Sequence, residues 1–310
     1  MRIVISEFMD DAAVAALAAH FDVDYDRGLV ERPGDLAMAL ADADALIVRN
    51  RTSVDAALLA RAPKLRVVGR LGVGLDNLDM KACAARGIDV IPATGANALA
   101  VAEYVVAAAM LLLRGAWQST SDVAAGHWPR AALSGGREMA GKTIGLVGFG
   151  SIGRLTGRLA RSLGMRAIGF DPQVPPASPI WVEDETLPRG LDPLLREADV
   201  VSLHVPLAPA TRNLIDAARI ATMKRDAMLI NTARGGVVDE AALAAALRAG
   251  KLGGAALDVF DREPLPAGSP LAGCPNLVLT PHVAGLTRES NVRVSALIAS
   301  KVAEALAPAR

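Results

Sequence analysis

The sequence predicts an α/β protein of two domains, each built on a parallel sheet, with a ligand cleft between them. Three observations carry that expectation. Short β-branched runs alternate with Ala- and Leu-rich stretches along the whole chain, the pattern of parallel βαβ units. A length of 310 residues suits two domains of ordinary size. A glycine-rich turn in mid-chain joins a strand candidate to a helix candidate, and open α/β sheets take ligands at such strand ends.

In chain order, the first domain reads as strands "RIVISE", "FDVDYD", "ALIVRN", "LRVVGR" and "IDVIPA", each rich in β-branched residues. Helical stretches separate them near residues 10–19, 34–42, 54–61 and 79–86, and a long helix is expected from about Asn97 to Trp117. The second domain repeats the rhythm with "KTIGLVGF", "RAIGFD", "DVVSLHV", "AMLINTA", "GAALDVF" and "NLVLT". A helix is expected at 152–163, and the proline-rich stretch 172–193 reads as an irregular loop around a short element.

Composition narrows the function. Apolar residues make up 52%, charged residues 21%, and the formal net charge is zero, which suits a soluble enzyme and argues against a nucleic-acid partner. Two cysteines, Cys83 and Cys274, neither at metal-ligand spacing, imply no disulfide framework and no metal site. The opening "MRIVISEF" reads as a strand rather than a signal peptide. The apolar stretch Ala98–Leu113 contains Glu103 and is too short for a bilayer, so a buried or dimer-facing helix is expected. A cytoplasmic location follows, with no membrane partner.

The stretch "GLVGFGSIGRLTGRLARSLGMRAIGFDP" sets Gly148, Gly150 and Gly153 in G-x-G-x-x-G spacing, with Asp171 closing the next strand. Gly148 permits a tight turn, Gly150 lets backbone approach a pyrophosphate, and Gly153 lets helix pack on strand. The helix N-terminus supplies free N–H groups for phosphate. Asp171 can accept both ribose hydroxyls and would repel a 2′-phosphate, which favours NAD over NADP.

Three later segments end strands on the ligand side. "INTARGG" places Arg234, "ALDVFDREP" places Asp258 and Glu263, and "LTPHVAG" places His282. A guanidinium matches a carboxylate, an imidazole exchanges protons near neutral pH, and a neighbouring carboxylate favours the imidazolium. Reduction of a 2-keto acid needs a carboxylate clamp, a proton donor and a hydride donor. His204, inside "VVSLHVPL", reads as a hydrogen-bonded structural histidine. His20 ends an Ala-rich helix, and His127 beside Trp128 reads as surface packing.

With "VVGRLGVGLDNLD", "NALAVAEYV", "GKTIGLVGFGSIG", "VSLHVPLAPATRNLI", "LINTARGGVVDEAAL", "ALDVFDREPL" and "TPHVAGLT", the chain resembles the D-2-hydroxyacid dehydrogenase family over nearly its full length. Within it, the 3-phosphoglycerate-dehydrogenase-like branch is nearest, with a weaker likeness to sulfolactate-dehydrogenase-like chains. The resemblance implies two Rossmann-like domains, flavodoxin-like and NAD-binding. The substrate domain would be 1–97 plus 286–310, the NAD domain 98–285, and a helix over about 287–309 would return to the first domain. It implies NAD as cofactor and a homodimer paired through the region of the long helix. Arg234 would bind and polarise substrate, Glu263 would pair with the histidine, and His282 would be the general acid/base. Asp258 would meet the nicotinamide carboxamide, Ser151 and Ile152 the pyrophosphate, and Thr232 and Ala233 the cofactor. His204, Pro206, Thr211 and Gly285 complete the cofactor set. The backbone at Val73 and Gly74 would receive the substrate carboxylate, and Asn97 joins the substrate set.

Arg49, Arg51 and Arg70 follow strands of the first domain. A surface arginine is usually only a solvated charge, yet Arg49 and Arg70 are expected to read a second anion, a phosphate or sulfonate. The chain departs from the phosphoglycerate branch in two ways. It stops soon after the histidine, and "VRNRTSVD" has asparagine where serine or threonine often stands. The expected function is NAD-dependent interconversion of a D-2-hydroxy acid with its 2-keto acid, on a substrate of the 3-phosphoglycerate or sulfolactate type. The alternatives are a glyoxylate/hydroxypyruvate reductase and an NAD-sensing, corepressor-like scaffold.

Overall fold

The computed structural model describes residues 1–307. The chain divides into two compact units, Met1–Asn97 with the stretch from Leu286 onward, and Ala98–Gly285. The first unit runs β1 (Arg2–Ile5), α1 (Asp11–Ala18), β2 (Asp22–Tyr25), α2 (Pro33–Ala39), β3 (Ala45–Val48), α3 (Ala56–Ala60), β4 (Val67–Arg70), α4 (Met80–Ala85) and β5 (Asp89–Pro92). Asp10, Asp55 and Asp79 accept backbone N–H bonds at the starts of α1, α3 and α4, which fixes where those helices begin. The five strands pair in parallel in the order β2-β1-β3-β4-β5. That is the flavodoxin-like arrangement.

The second unit runs α5 (Ala98–Arg114), α6 (Thr120–Ala124), β6 (Thr143–Val147), α7 (Ser151–Ser162), β7 (Arg166–Phe170), α8 (Ile180–Glu183), β8 (Leu187–Pro188), α9 (Leu191–Glu197), β9 (Val200–Leu203), α10 (Ala217–Thr222), β10 (Met228–Asn231), α11 (Glu240–Arg248), β11 (Gly254–Leu257) and β12 (Leu277–Leu279). Its seven strands are parallel, in the order β12-β11-β10-β9-β6-β7-β8. The direction of winding reverses between β6 and β9, so the switch point of a Rossmann sheet lies at the glycine-rich turn. Helix α12 (Arg288–Leu306) belongs to the first unit. Its Ile298 and Val302 join Ile3, Ile5, Leu17 and Val67 in one core. Gly69 on β4 makes room for it, since a Cβ there would stand 2.8 Å from both Ile298 and Val302.

Three expectations need adjusting. The long helix stops at Arg114 because Gly115 takes φ +63°, and the chain turns into a short 3₁₀ segment, Ala116–Ser119. The stretch 172–193 is more ordered than its prolines suggest. It holds α8 and the edge strand β8, and Trp181 stacks on Phe149 with ring centroids 4.1 Å apart. The helix expected to 309 ends at Leu306, and positions 308–309 lie outside the described residues. No single helix among the described residues is long and apolar enough to cross a membrane. Nine residues of α5 are buried, and Val105, Ala108, Ala109, Leu112 and Leu113 join a core of the second unit.

One buried charge anchors this unit. Asp184 is 1% exposed and accepts bonds from the guanidinium groups of Arg154 and Arg158, one turn apart on α7. Burial pushes its pKa up, and the two arginines more than offset this, holding it below the ordinary carboxylate value. A depressed carboxylate stabilises the fold above its unfolded pKa and loses that contribution as pH falls through its folded pKa. Asp184→Asn is therefore expected to cost roughly 2 to 3 kcal/mol near neutrality, toward the low end for a broken buried pair because both arginines keep solvent contact. Thermal melts at several pH values check this: the gap between wild type and variant narrows below about pH 4. A gap constant with pH would show that the charge does not contribute.

Candidate active site

The glycine-rich turn has the backbone that its spacing requires. Gly148 takes φ +96°, and a Cβ on it would stand 2.5 Å from the carbonyl oxygen of His204. A Cβ on Gly153 would stand 2.2 Å from the oxygen of Gly148, so only glycine lets α7 start this close to β6. Gly150 faces open space, with nothing within 4 Å of a Cβ. Ser151 is exposed and Ile152 half-buried in the first turn of α7. Asp171 ends β7, where its two oxygens accept N–H bonds from Phe149 (2.8 Å) and Gln173 (2.9 Å). Each oxygen keeps a lone pair for a ribose hydroxyl.

Beside Asp171 opens a crevice of about 460 Å³ whose lining includes Phe170, Pro172, Val205, Thr211 and Leu214. Thr211 closes the adjoining turn by donating to the carbonyl of Pro206 at 2.6 Å. Its apolar walls suit the flat face of an adenine. His204 departs from expectation: its Nε2 is buried with no hydrogen-bond partner, and burial pushes its pKa down to about 4. A neutral imidazole therefore packs against the glycine-rich turn. The hydroxyl of Thr232 is likewise buried without a partner at the end of β10. The tight turn, the open Gly150, the acid at 171 and the waiting Thr232 hydroxyl together fit a dinucleotide.

The side chains expected to be reactive come from the next three strand ends. After β10, the Asn231 amide donates to the carbonyl of Arg234 (2.9 Å), and its oxygen accepts from the N–H of Ala233 (3.0 Å). Gly235 then presses on the next loop, where a Cβ would lie 1.8 Å from the oxygen of Phe260. This close approach sets Arg234 beside the Asp258–Glu263 segment. There Glu263 accepts from the N–H of Phe260 with Oε1 (3.1 Å) and meets Nδ1 of His282 with Oε2 (2.8 Å). His282 keeps 45% of its side chain exposed, so Nε2 is the ring nitrogen open to a ligand.

His282 stands at φ +57°, a left-handed conformation strained for a side chain of this size. Asp258 over-determines it. The Asp258 carbonyl takes the N–H of His282 (2.8 Å), and its carboxylate takes the N–H groups of Val283 and Ala284 (both 2.8 Å). The same carboxylate accepts the Thr280 hydroxyl at 2.6 Å, and the Tyr104 hydroxyl lies 2.6 Å from Thr280 Oγ1. A carboxylate only accepts, so Thr280 donates to Asp258 and Tyr104 donates to Thr280. Asp258, 1% exposed, thus holds the histidine loop, a task the sequence did not show. Tyr104 and Thr280 were missed altogether; the one signal available was their place in the quoted motifs. Gly285 ends this loop, half-buried.

The first unit holds its own set. Arg49 follows β3 and is half-buried, with Nη2 donating to Asn291 Oδ1 (2.6 Å) and its guanidinium over the Phe8 ring. Arg51 is exposed and paired with Glu31 at 2.6 Å. Arg70 folds back over Gly72, where a Cβ would stand 2.1 Å from its Nη1. Val73 is exposed and Gly74 half-buried. The amide oxygen of Asn97 is buried without a partner.

Residues 106–284 match the family model described as D-isomer specific 2-hydroxyacid dehydrogenase, NAD binding domain. The chain is 54% identical over 304 residues to the (S)-sulfolactate dehydrogenase of Chromohalobacter salexigens, covering 98% of each. It is 37% identical to the D-3-phosphoglycerate dehydrogenase of Methanocaldococcus jannaschii, covering 99% of this chain but 57% of that one. The crystal structure of TT0316 protein from Thermus thermophilus superposes with a TM-score of 0.87 at 35% identity, covering 99% of this chain and 97% of that one. Matching more than half of its length to the family model and nearly all of it to a relative of the same size, the chain belongs to the D-isomer specific 2-hydroxyacid dehydrogenase family, NAD-dependent enzymes that interconvert 2-hydroxy and 2-keto acids.

Proposed function

We propose that this dehydrogenase acts at C2 of a small acid bearing a second anion, with sulfolactate ahead of 3-phosphoglycerate. His282 is the general acid/base, Glu263 holds it, and Arg234 binds the substrate. The observation that carries this reading is the 2.8 Å pairing of His282 Nδ1 with Glu263, on a loop against which the Arg234 turn is packed. NAD, which the glycine-rich turn, Asp171 and Thr232 would hold, would supply the hydride acceptor for C2 in oxidation and, when reduced, the hydride donor. During reduction the imidazolium gives its Nε2 proton to the carbonyl oxygen, and during oxidation the neutral ring takes the hydroxyl proton. Arg234 can hold a carboxylate in two parallel bonds and draw electron density from the neighbouring carbonyl. The cofactor set is Gly148, Gly150, Ser151, Ile152, Gly153, Asp171, His204, Pro206, Thr211, Thr232, Ala233, Asp258 and Gly285. The substrate set adds Arg49, Arg70, Val73, Gly74 and Asn97.

The name of the Chromohalobacter relative specifies the S hand, whereas the family is D-specific. The two agree. In lactate the carboxyl carbon outranks the methyl, and the D form is R. In sulfolactate the sulfur-bearing carbon outranks the carboxyl, so the same spatial arrangement becomes S. A D-specific site therefore accepts (S)-sulfolactate without inverting its geometry.

An NADH-oxidation panel tests the substrate. Sulfopyruvate is expected to give the highest kcat/KM, at least about ten-fold above glyoxylate and pyruvate, as one well-placed charged contact supplies. A higher kcat/KM on glyoxylate or hydroxypyruvate would overturn this in favour of the alternative reductase. A homodimer is proposed as well: α5 and the segment after it expose Leu99, Met110, Trp117, Val123 and Trp128, apolar side chains that pairing would cover. A cytoplasmic location suits dependence on an intracellular coenzyme.

A further inference from the structure

The loop after β3 is folded around a carboxylate. Four consecutive backbone N–H groups, those of Arg49, Asn50, Arg51 and Thr52, donate to the side chain of Glu7, at 2.9, 3.3, 3.1 and 3.0 Å. Arg49 and Thr52 share Oε1, while Asn50 and Arg51 share Oε2. Glu7 is 4% exposed. The loop's carbonyls are tied from the other side, where the Asn77 amide donates to the oxygens of Arg49 (3.2 Å) and Thr52 (2.7 Å). The hydroxyls of Ser6 and Thr52 meet at 2.9 Å.

A run of convergent N–H groups is a nest for an anion. Here the protein supplies that anion itself, from the segment after β1. The bonds are charge-assisted and largely shielded from water, so they are stronger than ordinary turn hydrogen bonds. They decide the direction in which the loop's own side chains leave the backbone, above all Arg49. That guanidinium is then steadied by the Phe8 carbonyl, the Phe8 ring and Asn291. Burial lowers the Arg49 pKa, and the Glu7 charge works against that shift. Glu7 thus supports Arg49 both through the backbone and through its field.

We propose that Glu7 is a positioning residue for substrate selection: its carboxylate, with Asn77, sets the Arg49–Thr52 loop so that Arg49 meets the second anion of the substrate. This rests on the reading that Arg49 recognises that anion. A purely structural role would lower stability and affect all substrates alike. Positioning instead separates substrates that carry the second anion from those that lack it.

The experiment uses the full chain with Glu7→Gln, Asn77→Ala and Arg49→Ala, and three readouts: KM for sulfopyruvate against KM for glyoxylate, NADH affinity, and amide hydrogen exchange over 49–52. Glutamine keeps one acceptor oxygen and turns an amide donor toward two N–H groups, so half of the nest is lost. Glu7→Gln is expected to raise KM for sulfopyruvate about ten-fold while leaving KM for glyoxylate, kcat and NADH affinity unchanged, the scale of one charged contact. Exchange at 49–52 should rise, and Asn77→Ala should move the same readouts in the same direction. Should Glu7→Gln fail to fold, Asn77→Ala carries the test. Slow exchange and an unchanged KM ratio in Glu7→Gln, beside a shifted ratio in Arg49→Ala, overturn the role of Glu7 and leave the anion reading intact. An unchanged ratio in Arg49→Ala overturns the anion reading itself. A ratio shifted by Glu7→Gln but not by Arg49→Ala overturns the route through Arg49.

Discussion

His282→Asn is expected to lower kcat for keto-acid reduction by about a hundred- to ten-thousand-fold, the usual worth of a positioned proton donor, and to leave NADH affinity unchanged. At a thousand-fold this is about 4 kcal/mol of transition-state stabilisation. Asparagine is the right substitute because it tolerates a left-handed backbone, so the loop that holds His282 at φ +57° keeps its shape. The bonds from Val283 and Ala284 to Asp258 come from the main chain and survive the change. What disappears is the proton on Nε2 and the pairing with Glu263. In the wild type, reduction uses the protonated ring and oxidation the neutral one, so the two directions are expected to slope oppositely with pH. The variant shows neither slope. Steady-state rates in both directions across pH, with chemistry shown to limit the rate, check this; a variant retaining the wild-type rate and profile would place the proton donor elsewhere.

Gly150→Ala and Gly153→Ala separate two kinds of glycine in one turn. Nothing lies within 4 Å of a Cβ at 150, and Gly150 sits at φ −77°, where alanine is at ease. The variant is expected to melt like the wild type and to bind NADH at least about a hundred-fold more weakly, since its methyl would occupy the proposed place of closest approach to the pyrophosphate. At 153 the Cβ meets a backbone oxygen at 2.2 Å. That variant loses NADH binding and also about 1 to 3 kcal/mol of stability, the ordinary cost of overpacking a tight site. Fluorescence titration with NADH and thermal denaturation distinguish the cases. Tight NADH binding by Gly150→Ala would mean that the pyrophosphate does not lie on this turn.

Elements with a local signature were legible before any coordinates. The glycine spacing and the alternating strands and helices rest on periodicity and on residues close in sequence, and the pairing of Glu263 with His282 was expected from the resemblance of their motifs. What escaped depends on contacts across long separations. Glu7 is one carboxylate among many until the loop 42 residues later closes around it. Tyr104 looks like one more apolar residue of α5, yet its hydroxyl reaches Thr280, 176 positions away. Asp258 was read as a ligand contact from the resemblance of its motif, and nothing local says that Val283 and Ala284 turn their amides onto it. The end of α5 shows the opposite limit. Gly115 was visible, but an isolated glycine does not announce a left-handed cap until the chain beyond it turns away.

The double attachment of Asp171 bears on any redesign for the phosphorylated coenzyme. Neutralising this side chain is the obvious first step, because it removes the repulsion of a 2′-phosphate. The same step takes an acceptor away from Phe149 or Gln173 and slackens the turn proposed to carry the coenzyme. A swap of cofactor preference here calls for a neutral side chain that still accepts from both amides, with the cation brought in from another position.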